Sequence, residues 1–331
     1  MDDNVLRILI TVVAGGVMSG LFGILLLPVL RALKAGQSIR ELGPTWHNNK
    51  AGTPMMGGLF FIFGSILCVL GNLFWMMGDY SVLYVLGIGL CFGLIGFLDD
   101  FCKAKYKRNL GLTSIQKALL QMAVSALFIY LLYKMDADMC NLYIPFVNIT
   151  IENIHPLLFV FFAMFVMVGC DNAVNITDGV DGLCASVTLP VMIFFTVAAV
   201  AMGKYDLAIL PAALTGGLIA YLFFNWHPAK VFMGDTGSLF LGGVVCGLAF
   251  ALKMPLILVI IGLVYIVETL SVILQVGYFK ISHGKRIFKM APIHHHFEMC
   301  GWKEVKIVLV FSAISAVMCV IAWFGISGLI G

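Results

Sequence analysis

Two adjacent aspartates, Asp99 and Asp100, close an apolar stretch and are followed at once by Lys103, Lys105, Lys107 and Arg108. Asp171, Asp178, Asp181 and Asp235 are expected on the same side of the membrane as these basic residues. Carboxylates that converge where cations are abundant suit magnesium, a hard ion that takes one or two carboxylates together with substrate phosphates. Any one of these acids could instead cap a helix or pair with a lysine. Their joint presence points to metal and phosphate chemistry.

Three polar segments extend this reading. In Asp171-Asn172-Ala173-Val174-Asn175-Ile176-Thr177-Asp178-Gly179-Val180-Asp181-Gly182, the spacing predicts Asp171, Asn175 and Asp178 on one helical face, with the glycines opening a loop. Polar groups at the edge of an apolar span are costly, and serve either function or helix-to-helix hydrogen bonding. A second break runs from Asn225-Trp226-His227-Pro228 to Phe232-Met233-Gly234-Asp235-Thr236-Gly237-Ser238. There Asp235, followed by Thr236 and Ser238, is expected to cap the next helix while its carboxylate or the free amides face an anion, and the Phe232 ring offers a surface for a nucleobase. The third is Pro292-Ile293-His294-His295-His296-Phe297-Glu298. Its histidines, expected in an extended segment and therefore pointing alternately to opposite sides, suit phosphate or sugar hydrogen bonding better than zinc, since Lys285, Arg286 and Lys289 are close in sequence, and structural packing of at least one ring is expected as well. Glu268 is a lone acid inside an apolar span, either a helix-to-helix hydrogen-bonding group or a functional one.

The elements that must position these residues are membrane helices. Of the 331 residues, 61% are hydrophobic and only 11% charged, and the mean hydropathy is +1.04; the composition is that of an integral membrane protein. Ten stretches approach the roughly 20 residues that a crossing helix needs: 5–30, 55–77, 80–98, 115–132, 157–175, 183–202, 207–226, 239–254, 256–278 and 305–330. An all-α bundle is expected, with 1–331 forming a single domain. Lys and Arg concentrate in alternate connections, which predicts that these face the cytoplasm and that both termini lie outside. The first span, preceded by Asp2 and Asp3, lacks the basic lead of a signal peptide and is expected to be retained. A net charge of +3 is too small to indicate nucleic-acid binding, and the nine cysteines, without CxxC spacing, are expected as free thiols.

At these motifs the chain resembles the polyprenyl-phosphate N-acetylhexosamine-1-phosphate transferases. The resemblance runs through KAGTPMMGG at 50–58, FLDDFCK at 97–103, NAVNITDGVDGL at 172–183, FMGDTGSLFLG at 232–242, ETLSVILQV at 268–276 and APIHHHFE at 291–298. The histidine motif favours the muramoyl-pentapeptide branch. The resemblance implies ten transmembrane helices, a homodimer in the bacterial cytoplasmic membrane and a cytoplasmic cleft. It implies transfer of phospho-MurNAc-pentapeptide from its UDP carrier to undecaprenyl phosphate, giving lipid I and UMP with Mg2+ as cofactor. It assigns Asp235 to the metal, Asp99 to the lipid phosphate and Asp100 to support of the metal site. Asn172, Asn175, Asp178, Asp181, Asn225 and Phe232 would form the nucleotide-sugar site. Lys117, His294, His295 and His296 would contact phosphate or sugar, and Lys50 would assist substrate binding. A UDP-GlcNAc-type transferase and, from another class, a membrane transporter are the alternatives.

Overall fold

The computed structural model describes residues 2–32, 52–76, 80–106 and 111–330. Among them, nine helices are long and apolar enough to cross a membrane: α1 (Asp3–Ala32), α3 (Ser81–Tyr106), α4 (Ser114–Met135), α5 (Pro156–Thr177), α6 (Leu183–Ala201), α7 (Tyr205–Asn225), α8 (Gly234–Ala251), α10 (Leu263–Ile281) and α12 (Glu304–Gly325). The shorter pieces are α2 (Leu59–Asn72), α9 (Leu258–Ile261), α11 (Ile293–Met299) and one hairpin, β1 (Leu142–Ile144) with β2 (Ile149–Ile151), paired antiparallel with Tyr143 opposite Thr150. The protein is a multi-pass, all-α integral membrane protein.

Three expected spans differ. The stretch 55–77 yields only the 14-residue α2 and a 3-10 turn at Leu73–Trp75, because Pro54 to Gly58 pair with another strand of backbone. Gly57 N–H and Gly58 N–H donate to the carbonyls of Phe232 and Met233, and Phe232 N–H donates to that of Pro54. The stretch 256–278 is broken, with a 3-10 turn at Pro255–Ile257 and α9 ending before Gly262. The stretch 80–98 is too short: α3 continues to Tyr106, so Asp99 and Asp100 are helical rather than terminal.

The bundle has two polar poles. At one, Arg7 of α1 pairs with Asp206 of α7 at 2.9 Å and donates to Asn72. At the other, α3, α4, α5 and α8 bring the acidic residues together. Close packing of small residues, the usual means of joining helices in lipid, sets that pole. A Cβ built on Gly96 of α3 would lie 2.0 Å from the Asp235 carbonyl oxygen, and one on Gly93 would lie 3.1 Å from the Phe240 Cβ. Any larger residue at Gly96 would therefore push the start of α8 away from α3.

Candidate active site

Asp235 stands in the first turn of α8 and receives donors from three other helices. Lys103 of α3 and Lys117 of α4 place their Nζ atoms 3.1 and 2.5 Å from its Oδ2. Asn175 of α5 donates to its Oδ1 at 2.9 Å and to the Ser238 hydroxyl at 2.8 Å. Lys103 also lies 2.5 Å from Asp99 Oδ2, and Lys117 3.7 Å from the same oxygen. The other oxygen of Asp99 accepts the Leu112 N–H at 2.7 Å.

The capping role expected of Asp235 belongs instead to Asp100. The helix begins at Gly234, whose φ of +74° turns the chain into it. Asp100, almost fully buried on α3, accepts from Asp235 N–H at 3.2 Å, Thr236 N–H at 2.9 Å and the Thr236 hydroxyl at 2.7 Å. A carboxylate at a helix N-terminus satisfies amides that have no partner within the helix and opposes the positive end of its dipole. With the cap supplied from α3, the Asp235 side chain is free to face the other acids and the lysines.

One carboxylate oxygen from each of Asp99, Asp100 and Asp235 lies within 4.8 Å of the other two. Three hard oxygen donors at that spacing fit a hard divalent cation. Both ammonium groups already crowd the Asp99 and Asp235 oxygens, which marks where positive charge is most needed. Asp100 is committed to the amides of α8, which leaves Asp235 and Asp99 facing the space that such an ion could take. Asp178, the residue that ends α5, stands at the edge. Burial, then the negative charges of Asp235, Asp100 and Asp181, pushes its carboxyl well above the usual carboxylate range, against a hydrogen bond from Gly234 N–H.

A family model for glycosyl transferase family 4 matches residues 82–253, which hold the whole acidic pole. The chain is 49% identical over 319 residues to a phospho-N-acetylmuramoyl-pentapeptide-transferase of Clostridium perfringens, covering 96% of this chain and 98% of that protein. Proteins of the same name from Acetivibrio thermocellus and Clostridium acetobutylicum are 46% and 44% identical, covering 91% and 99% of their own lengths. The chain belongs to the phospho-N-acetylmuramoyl-pentapeptide transferase family.

The remaining residues expected at the site of this transferase are distributed unevenly. Asn172 turns away from Asp235 and donates to Gln121 Oε1 at 2.9 Å, while Gln121 donates to Asp171 at 2.5 Å. Asn225 has its amide engaged by backbone, accepting from Gly182 N–H and donating to the Val231 carbonyl. Asp181 accepts from Ala229 N–H at 3.1 Å and lies 3.0 Å from His227 Nδ1, which is itself 3.4 Å from Glu304 Oε2. Phe232 is half-buried on the segment paired with Pro54 and Gly57. Lys50 lies outside the described residues.

The histidines occupy α11 rather than an extended segment, and so fan out around a helix instead of alternating. His294 is buried against Glu268 of α10 at 2.9 Å, His295 meets Glu298 at 2.5 Å, and His296 accepts from Lys289 N–H at 3.1 Å. Each imidazole thus has a different protein partner, and none shares a three-ligand cluster with another among the described residues. Sequence reasoning missed Lys103, Thr236 and Gln121. Lys103 was legible in its spacing, four residues after Asp99 and three after Asp100 on one helix. Gln121 carried a signal too, as an amide one turn beyond Lys117 in an apolar span.

Proposed function

We propose that this transferase moves phospho-MurNAc-pentapeptide from UDP-MurNAc-pentapeptide to undecaprenyl phosphate, forming lipid I and releasing UMP in peptidoglycan synthesis. The observation that carries the reading is the Asp99–Asp100–Asp235 cluster with its two lysines, in a chain of that family. Both reactants carry phosphate charge, and their approach must be offset before any bond can form. Bound Mg2+, the ion we assign to Asp235, would supply that offset and stabilise the phosphate of the departing UMP.

The chain's own residues hold and orient. Lys103 and Lys117 stand beside the acids and can donate to phosphoryl oxygens as these enter. Asp99 faces the same point and serves the lipid phosphate, taking up its residual proton. An oxygen of that phosphate then bonds to the sugar-bearing phosphorus, the bond from this phosphorus to the bridging oxygen breaks, and UMP leaves with that oxygen. Direct attack is favoured because the lipid phosphate is already an oxyanion nucleophile and needs positioning more than replacement by a side-chain carboxylate. Asp178, Asp181, Asn175, Asn172, Asn225 and Phe232 are assigned to the nucleotide-sugar side by the family resemblance, and the histidine segment and Lys50 to the substrate's phosphate or sugar groups.

The active cleft is assigned to the cytoplasmic face of the bacterial inner membrane, both termini to the outside and the working unit to a homodimer. Purified protein given magnesium, undecaprenyl phosphate and either UDP-MurNAc-pentapeptide or UDP-GlcNAc tests the reading. UMP and lipid I from the muramoyl substrate alone are expected. Product from UDP-GlcNAc alone would move the chain to another branch, and vesicle uptake without UMP release would make it a transporter.

A further inference from the structure

Glu268 lies in α10, fully buried, and its Oε2 is 2.9 Å from Nδ1 of His294, which is equally buried on α11. Glu268 Oε1 and His294 Nε2 are buried polar atoms without a hydrogen-bond partner, and such atoms in a native structure call for an explanation. The imidazole points its Nε2 at one place. A Cβ built on Gly179 would lie 2.2 Å from that nitrogen and 2.6 Å from Cε1. Gly179 is the exposed residue of the turn between Asp178 and Asp181. The ring therefore forms the floor beneath that turn, and a glycine is required for the two to meet.

We infer that Glu268 is a positioning residue: by holding Nδ1 it fixes the His294 ring against Gly179, and so sets the Asp178–Asp181 turn that receives the nucleotide-sugar. The inference rests on the proposed transfer reaction. A carboxylate with no lysine or arginine among its described partners is costly at that depth, and the one imidazole it touches is the one that meets the turn. Glu268 acts through His294 and does not itself contact substrate.

The test is steady-state kinetics on the purified membrane enzyme, begun with wild type, whose release of UMP from UDP-MurNAc-pentapeptide must first be established. If wild type does not turn over, the functional reading fails before this inference is reached. Glu268→Leu and His294→Ala are each expected to raise the KM for UDP-MurNAc-pentapeptide about tenfold with kcat within threefold, the pattern of lost binding-site order. Glu268→Gln, which keeps an acceptor for Nδ1–H, is expected to stay within threefold of wild type. The Glu268→Leu/His294→Ala double variant should be no worse than either single one, as residues acting in series require. Gly179→Ala, outside the membrane helices and so available if Glu268→Leu does not fold, should raise KM in wild type and add nothing in the His294→Ala background. Multiplicative losses in either double variant, a fall in kcat at unchanged KM, or wild-type kinetics for Glu268→Leu would overturn the inference.

Discussion

Two clusters each bring three potential ligand atoms within 4.8 Å of one another, Asp99–Asp100–Asp235 and Asp181–His227–Glu304, and they are built on different principles. The first stands on long helices and consists of three carboxylates faced by two lysines. Its negative charge exceeds the positive charge beside it, so it can take a further cation. The second joins a turn, the connection after α7 and the first residue of α12, and its exposed imidazole lies between its two carboxylates. There the middle of the cluster is already occupied by His227. We therefore assign the ion to the first and read the second as a tie between segments, although both meet the same geometric criterion. Hard oxygen donors with compensating lysines distinguish a magnesium-type site from a His–carboxylate clasp.

The largest effect that would break this contrast is expected at Asp235. Asp235→Asn keeps the side chain's size but offers the cation a poorer donor, and turnover should fall on the order of 1,000-fold or more. UMP release at saturating substrate and varied magnesium checks it. Near-normal turnover with an unchanged magnesium requirement in folded protein would remove Asp235 from the metal site.

Next comes Asp99, which lends one oxygen to the lysines and the other to Leu112 N–H. Asp99→Asn is expected to lower kcat by about 100-fold or more, the range of a lost general base, with the KM for the UDP substrate within threefold. The reverse pattern, weak substrate binding at full kcat, would reassign Asp99 to the nucleotide side and leave the lipid phosphate to Asp100.

Much of this pole was legible in the sequence. The paired aspartates, the Gly-rich entry to α8 and Asn175 all announce themselves as polar residues among apolar ones. What was not legible is which carboxylate does which work. A sequence shows Asp235 at the start of a helix, where a cap is the ordinary reading. Only the approach of α3, permitted by Gly96, shows that Asp100 supplies the cap from another element. For the histidines it was the extended conformation that misled: a helix sends three adjacent side chains in different directions, and only His294 meets Glu268 across 26 residues. Chain spacing predicts contacts within a helix, as for Lys103, and not those set by helix packing.

A third, smaller effect tests how far the rigidity of the first cluster extends. One turn below Lys117 and Asn175, Gln121 and Asp171 tie α4 to α5 in a buried pair. Gln121→Leu leaves Asp171 without its donor, at a cost of about 1–3 kcal/mol, and is expected to lower kcat about tenfold by loosening the grip on Asp235. Asp171→Asn retains an acceptor and should restore most of the rate that Asp171→Leu loses. Equal losses in both Asp171 variants would mean that its charge, and not its hydrogen bond, is what matters.

The smallest effects are expected at the second cluster, where they sharpen the contrast most directly. If His227 is a clasp, His227→Ala should lower the melting temperature by about 2–4 °C, corresponding to about 1 kcal/mol in a protein of more than 150 residues, and raise the UDP-substrate KM about threefold by loosening Asp181. The magnesium requirement should not move, because we assign the ion to the other cluster. Zinc-selective chelation of wild type should leave magnesium-dependent turnover within twofold, for this cluster and for the histidines of α11 alike. Stoichiometric zinc in active protein, bound in wild type but not in His227→Ala, with activity lost on its removal and regained with zinc alone, would make the second cluster a metal centre. The distinction between an open acidic site and a closed one would then fail at the place where it is easiest to measure.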